Sequence, residues 1–120
     1  MNKPTTEEIK TLKRLLKSFY HHEGIERVGF VLASNKIREV RNVSPEPEYG
    51  FLVDPKDTIE ALKDSAWATW HTHPNQDSNL SGEDYRNFMN WPDLVHFIVG
   101  SDSVKGYYYD SSKKSILELD

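Results

Sequence analysis

Apolar residues recur at a helical interval in the first stretch of the chain. Ile9, Leu12, Leu16 and Phe19 share one side, while Lys10, Lys13, Arg14 and Lys17 take the other. This pattern predicts an amphipathic helix running to about His22. Thr5-Thr6-Glu7-Glu8, with Pro4 just ahead, has the form of a capping box that would open the helix, and Gly24 is its predicted stop. The interval then drops to two. Arg27 to Ala33 and Lys36 to Val43 read as strands joined by a tight turn at Ser34-Asn35, which predicts an antiparallel hairpin.

Ser44-Pro45-Glu46-Pro47-Glu48 cannot donate regularly to a ladder and reads as loop, followed by a short strand at Phe51 to Val53. A short helix capped by Asp57 is predicted over Asp57 to Lys63. Alternation returns from Ala66 to His73, with Trp67, Thr69, His71 and His73 on one side and Ala66, Ala68, Trp70 and Thr72 on the other. After a polar loop to Leu80, Ser81-Gly82-Glu83-Asp84 starts a third helix reaching about Asn90, with Tyr85 and Phe88 expected to face the core. Val95 to Val99, Gly106 to Tyr109 and Ser115 to Leu119 complete the strands. This order predicts one compact three-layer α/β (α+β) domain spanning residues 1–120, with a mixed, mostly antiparallel sheet flanked by helices.

Composition narrows the function classes. The chain is polar, with a mean hydropathy of -0.70. Leu, Ile, Val and Phe still make up about a quarter of it, enough for a folded core. A net charge of -4 and a pI near 5.7, without a clustered Lys/Arg face, speak against nucleic acid as a partner. No apolar run approaches membrane-spanning length and the first residues do not resemble a signal peptide, so no membrane partner and a cytoplasmic location are expected. With no cysteine, disulfides, thiolate zinc sites and Cys nucleophiles are excluded, and a metal would have to be held by His and carboxylates.

The candidate chemistry sits where the third helix follows the Ala66 to His73 strand. His71 and His73 are two apart on a strand, so both imidazoles leave one face and can meet one ion. Ser81 and Asp84 lie one helical turn apart at a helix start that would converge on the strand end. Two His nitrogens and one carboxylate oxygen leave a tetrahedral position open, as catalytic zinc sites do. The structural alternatives are an N-cap for Ser81 and a first-turn acid complementing the helix dipole for Asp84. His96 lies within an apolar strand and is expected to be packed, His21 and His22 receive no chemical role, and Tyr107, Tyr108, Tyr109, Trp67, Trp70 and Trp91 read as core and sheet-face groups.

His71-Thr72-His73-Pro74, six residues, then Ser81-Gly82-Glu83-Asp84 resembles, without a gap, the JAMM (MPN-plus, JAB domain) metallopeptidase motif H-[ST]-H-P-x6-S-x-x-D. Glu26-Arg27-Val28-Gly29 is similar to the family's E-x-C-G context for a catalytic glutamate, with Val28 where a Cys is frequent. The resemblance implies a JAB/MPN-like fold and one Zn2+ held by His71, His73 and Asp84. It further implies that Glu26 takes a proton from the zinc-bound water and that Ser81 steadies the oxyanion, in hydrolysis of an amide or isopeptide bond. Glu23 is a rival for the glutamate. Phe51-Leu52-Val53-Asp54-Pro55 and Trp91-Pro92-Asp93-Leu94 look like the prokaryotic and phage branch, similar to the JAB domain of tailed-phage tail-assembly proteins. That likeness implies a protein or peptide substrate, a phage tail or cell-wall hydrolase partner, and a virion-associated alternative to the cytoplasm. The alternative function is a non-catalytic MPN-like assembly or binding module.

Overall fold

The computed structural model describes residues 4–22 and 24–119. Six strands form one mixed sheet in the order β2-β1-β3-β4-β5-β6. They are β1 (Val28–Val31), β2 (Ile37–Val40), β3 (Ala68–Thr72), β4 (Val95–Val99), β5 (Val104–Asp110) and β6 (Ser115–Leu119). Only β3 and β4 run parallel, joined through helix α3 (Gly82–Met89); the other neighbours are antiparallel. A parallel pair needs such a crossover, and it sets the start of α3 above the carboxyl end of β3. Helix α1 (Thr6–Lys17) packs Leu12 and Leu16 onto one sheet face with Val31, Trp70, Phe97 and Val99. On the other face, Ala61 of helix α2 (Pro55–Lys63) meets Phe30 and Leu32, and Phe88 of α3 meets Ile98 and Tyr107. The expected three layers are there. Among the described residues no helix is long and apolar enough to cross a membrane.

Local signals set the element starts. The Thr5 hydroxyl accepts from the Glu8 amide while the Glu8 carboxylate accepts from the Thr5 amide, the reciprocal pair the sequence predicts. The helix nevertheless ends at Lys17, well before Gly24. Amides of Ser18, Phe19 and Tyr20 each donate to carbonyls three residues back and the Ser18 hydroxyl to Leu15, so the chain tightens into turns there. Phe19 still reaches the core, its ring 4.6 Å from that of Trp70. The first hairpin is antiparallel as expected but its strands are shorter, and it turns through left-handed Ser34 (φ 62) and Asn35 (φ 60).

Further expectations are corrected. Helix α2 begins at Pro55 and its cap is Asp54, whose carboxylate accepts from the Lys56 amide; Pro55 supplies a first position that has no amide to satisfy. The Phe51 to Val53 strand reduces to a single bridge, Asn42 to Val53. There the Asn42 side chain replaces the ladder, donating to the Gly50 carbonyl and accepting from the Leu52 amide. On α3, Asp84 and Phe88 face inward and Tyr85 is exposed, and Trp91 beyond the helix end is exposed as well.

Gly29 has a packing reason. Its Cβ position is filled by the Trp70 indole and the Arg38 carbonyl oxygen, so any side chain there would displace the strand pairing.

Candidate metal centre

His71 and His73 project from the end of β3 onto the face covered by α2 and α3, and both are buried, as is Asp84. Their Nε2 atoms lie 3.1 Å apart. The Asp84 carboxylate straddles them, Oδ1 at 3.1 Å from His71 Nε2 and Oδ2 at 3.0 Å from His73 Nε2. A Glu26 carboxylate oxygen lies within 4.8 Å of a ring nitrogen of each histidine. The structure thus brings His71, His73, Asp84 and Glu26 together, and Ser81 stands at their rim. Glu23, the rival glutamate, lies outside the described residues.

Several of the motif residues have a local mechanical purpose. The amide of Gln76 donates to the His73 carbonyl across Pro74 and Asn75, with Asn75 left-handed (φ 59), so Pro74 sits where it best initiates such a turn. That turn redirects the chain from β3 towards α3. The Ser81 hydroxyl accepts from the Asp84 amide at 3.0 Å, and Asp84 Oδ2 accepts from the Ser81 amide at 3.3 Å. This capping box therefore orients the carboxylate that faces the histidines. Because Ser81 Oγ is an acceptor in that bond, its own proton remains available to the adjoining groove.

Glu26 is placed by contacts far apart in sequence. The Thr72 hydroxyl accepts from the Arg27 amide at 2.8 Å, and the Thr72 amide donates to the Arg27 carbonyl, tying the strand of the histidines to the residue after Glu26. The Glu26 amide donates to the Pro47 carbonyl and its carbonyl accepts from Asn42 Nδ2. Asn42 spends its whole side-chain amide on this loop, also accepting from the Ser44 amide. Sequence reading missed Asn42, and an Asn just ahead of a Pro-rich segment is the one signal that could have marked it.

Whether a metal fits is decided by His73. Its Nδ1 lies 2.9 Å from the Asp77 carbonyl oxygen, which can only accept, so Nδ1 carries the proton. In the neutral ring, Nε2 is then a lone pair aimed at a carboxylate oxygen and at a second imidazole nitrogen. Groups so placed repel unless a proton or a metal ion lies among them. A protonated ring relieves this in part, and a divalent ion coordinated by the three groups relieves it fully. A carbonyl holding the outer nitrogen of a ligating histidine is the usual support for a metal. Two imidazoles and a carboxylate suit zinc.

Without a metal, shared protons take up part of this repulsion. Burial lowers His71 below the ordinary histidine range. For His73 burial pulls the same way, but the bonds to Asp84 and the Asp77 carbonyl prevail and raise it. Burial would raise Asp84, and its bonds to the two histidines reverse this and hold it well below the usual carboxylate range. Burial pushes the Glu26 carboxyl up to about 7, with His73 opposing and Asp84 adding to the rise. Beside these groups runs a groove of about 470 Å³ that Ser81, Gln76, Tyr49 and Asn87 help to line.

No protein-family model matches the chain. Over 69 residues, 52% of the chain, it is 33% identical to Desampylase of Haloferax volcanii. The matched stretch covers 49% of Desampylase, so the chain spans about half the length of this curated relative. That similarity supports the JAB/MPN-like resemblance of the motif. Among solved structures, protein DSY2949 of Desulfitobacterium hafniense aligns over 97% of this chain and 88% of its own, with a TM-score of 0.62 and 19% identity, a likeness of fold alone. A Salinibacter ruber protein aligns over 99% of this chain and 89% of its own, at a TM-score of 0.48 and 15% identity.

Proposed function

We propose that this protein is a zinc-dependent isopeptidase or peptidase of the JAMM type, hydrolysing an amide or isopeptide bond in a protein or peptide substrate. One observation carries the reading. The Asp77 carbonyl holds a proton of His73 on Nδ1, so in the neutral ring Nε2 turns its lone pair to the buried point where His71 Nε2 and the Asp84 carboxylate also meet. The similarity to Desampylase over half the chain supports the same class of enzyme.

His71, His73 and Asp84 would hold the metal. Zinc bound there supplies a Lewis acid and lowers the pKa of a coordinated water from about 15.7 towards 7. Glu26, beside but not among the ligands, has a carboxyl pushed up to about 7, matched to taking a proton and returning it near neutral pH. Ser81 offers a hydroxyl proton into the groove, where negative charge would gather on a carbonyl oxygen under attack. Thr72 and Asn42 hold Glu26 against the histidines, and Asp77 orients His73. Neither the fold nor the comparisons supports the tail-assembly setting.

The test combines metal content with turnover. Protein purified without added metal should carry near-stoichiometric zinc by elemental analysis. Comparison of proteomes exposed to wild type and to a Glu26→Gln trap should reveal a conjugate or polypeptide that only wild type cleaves. Chelation should abolish that cleavage and zinc should restore it. Protein that stays metal-free after zinc reconstitution would sink the reading.

A further inference from the structure

The sheet face that carries His71 continues between α2 and α3 into a second hollow of about 340 Å³. Its floor includes Phe30 and His96, and its walls include Ile59 and Leu62 of α2 and Trp91 just past α3. It is continuous with the groove at the candidate metal centre, since Phe51, Leu52 and Asn87 line both. Phe51 marks the junction, its ring 4.6 Å from that of His71.

The two hollows differ in chemistry. Four large apolar side chains that the fold leaves exposed gather around the second: Leu52 at 56%, Ile59 at 54%, Leu62 at 42% and Trp91 at 42%. Clustered apolar exposure of this kind marks a binding surface more often than scattered single residues do. The histidine of its floor is already paired. His96 Nδ1 bonds to the Thr69 hydroxyl at 2.7 Å and Nε2 to the Trp91 carbonyl at 3.1 Å. A polar side chain entering there would give up water and find His96 and Thr69 already paired among mostly apolar walls, whereas an apolar one has no hydrogen bond to lose.

We infer that this hollow is a specificity pocket that receives a large apolar side chain of the substrate polypeptide, a residue or so from the bond cleaved at the neighbouring centre. An occupant lying across both hollows must present polar groups at the centre and carbon at the pocket. An extended polypeptide does this, with peptide groups in the groove and side chains leaving it alternately to opposite sides. The inference rests on the hydrolase reading for the bond that is cut, but the pocket's preference for an apolar side chain can be measured without turnover.

The first arm titrates isotopically labelled, zinc-loaded protein with N-acetyl-leucine amide and N-acetyl-phenylalanine amide, with N-acetyl-glutamine amide as control, following the Trp91 indole and the Ile59 and Leu62 methyls by NMR. Saturable shifts confined to these groups are expected with the apolar amides, at least about tenfold stronger than with the glutamine amide. Leu62→Gln and Ile59→Gln, both at exposed positions and outside the centre, should remove them while leaving zinc content unchanged. The second arm profiles cleavage of a mixed peptide library and expects enrichment of Leu, Phe or Met at one substrate position, lost in Leu62→Gln. Equal shifts with the glutamine amide, or cleavage whose apolar preference is absent or survives Leu62→Gln, overturn the pocket. Dimerisation with concentration that quenches Trp91 and blocks the amides also overturns it, since the occupant is then a second copy. Specific amide binding with no cleavage of any library member upholds the pocket and counts against the hydrolase reading.

Discussion

His71 and His96 stand on the same face of neighbouring strands, both buried, yet their surroundings differ in one decisive respect. Each nitrogen of His96 has a partner of the right kind. Nε2 donates to the Trp91 carbonyl, Nδ1 accepts from the Thr69 hydroxyl, and the ring stacks on Phe88 at 4.1 Å and 6°. At the other end of β3, His71 and His73 turn Nε2 atoms towards one another and towards a carboxylate. Burial of an imidazole therefore says little by itself. What faces its second nitrogen separates a packed histidine from a ligand.

The largest effect that would break this contrast is metal loss. His71→Ala and His73→Ala should each empty the centre of zinc and abolish turnover, whereas His96→Gln should keep a full complement, all read by elemental analysis. Loss of zinc in His96→Gln alone would reverse the assignment of the two regions.

Glu26 sharpens the line between ligand and neighbour. Glu26→Gln should retain zinc and lose about 10²–10⁴-fold in kcat, the range for one positioned acid–base group. Unchanged turnover on the substrate found by the trap would shift that role elsewhere.

Ser81 caps α3 and is proposed as a groove donor, and the two roles can be separated. Gly at an N-cap costs only a few tenths of a kcal/mol relative to Ser. Ser81→Gly should thus stay folded and hold zinc, with kcat reduced by roughly 10²–10³-fold if the hydroxyl supports an oxyanion. Activity within about twofold of wild type would leave it a cap only.

At His96 the comparison becomes a matter of pH. Burial lowers it from 6.5 to about 4. A base whose folded pKa is depressed contributes stability above 6.5, and that contribution drains away as pH falls towards 4. It amounts to a change on the order of 3 kcal/mol. Urea unfolding of chelator-treated wild type and His96→Gln should give stability curves that converge by this amount between pH 7 and pH 4. Parallel curves would mean that the ring takes up a proton in place at no cost.

The smallest effect concerns support from a distance. The Tyr107 hydroxyl donates to the Ser78 carbonyl at 3.0 Å, and Asp102 accepts from the Ser78 amide. Both hold the loop whose Asp77 carbonyl orients His73. Gly100 lets that loop close in, since a Cβ there would fall 2.2 Å from the Ser78 nitrogen. Tyr107→Phe should weaken zinc binding in chelator competition by less than the about 10–100-fold that follows loss of a ligand's own hydrogen-bond partner, since Tyr107 acts through Ser78, while His71 and His73 remain in place. An unchanged zinc affinity would confine Tyr107 to packing.

Much of the molecule could be read from neighbours a few residues apart. The Thr5 and Ser81 caps, the Ser34-Asn35 turn, strands Val95–Val99 and Ser115–Leu119, and the shared face of His71 and His73 all depend on contacts within one turn or one pleat. Such contacts follow from backbone geometry and side-chain type alone. The end of α1 at Lys17 was not legible in this way, because apolar spacing continues to Phe19 after the backbone has left the helix.

Tertiary structure decided that Glu26 stands beside the histidines and what faces His73 and His96. The sheet register pairs Val28 with His71 and lets Thr72 bind Arg27, bringing Glu26 to residues 45 positions away. Asn42 holds the loop over Glu26, and the β4–β5 turn holds the loop that presents the Asp77 carbonyl. The apolar hollow between α2 and α3 exists only because two helices far apart in the chain settle on one face. These arrangements rest on hydrogen bonds and packing between distant segments, whose partners are named only when the register of the sheet is set.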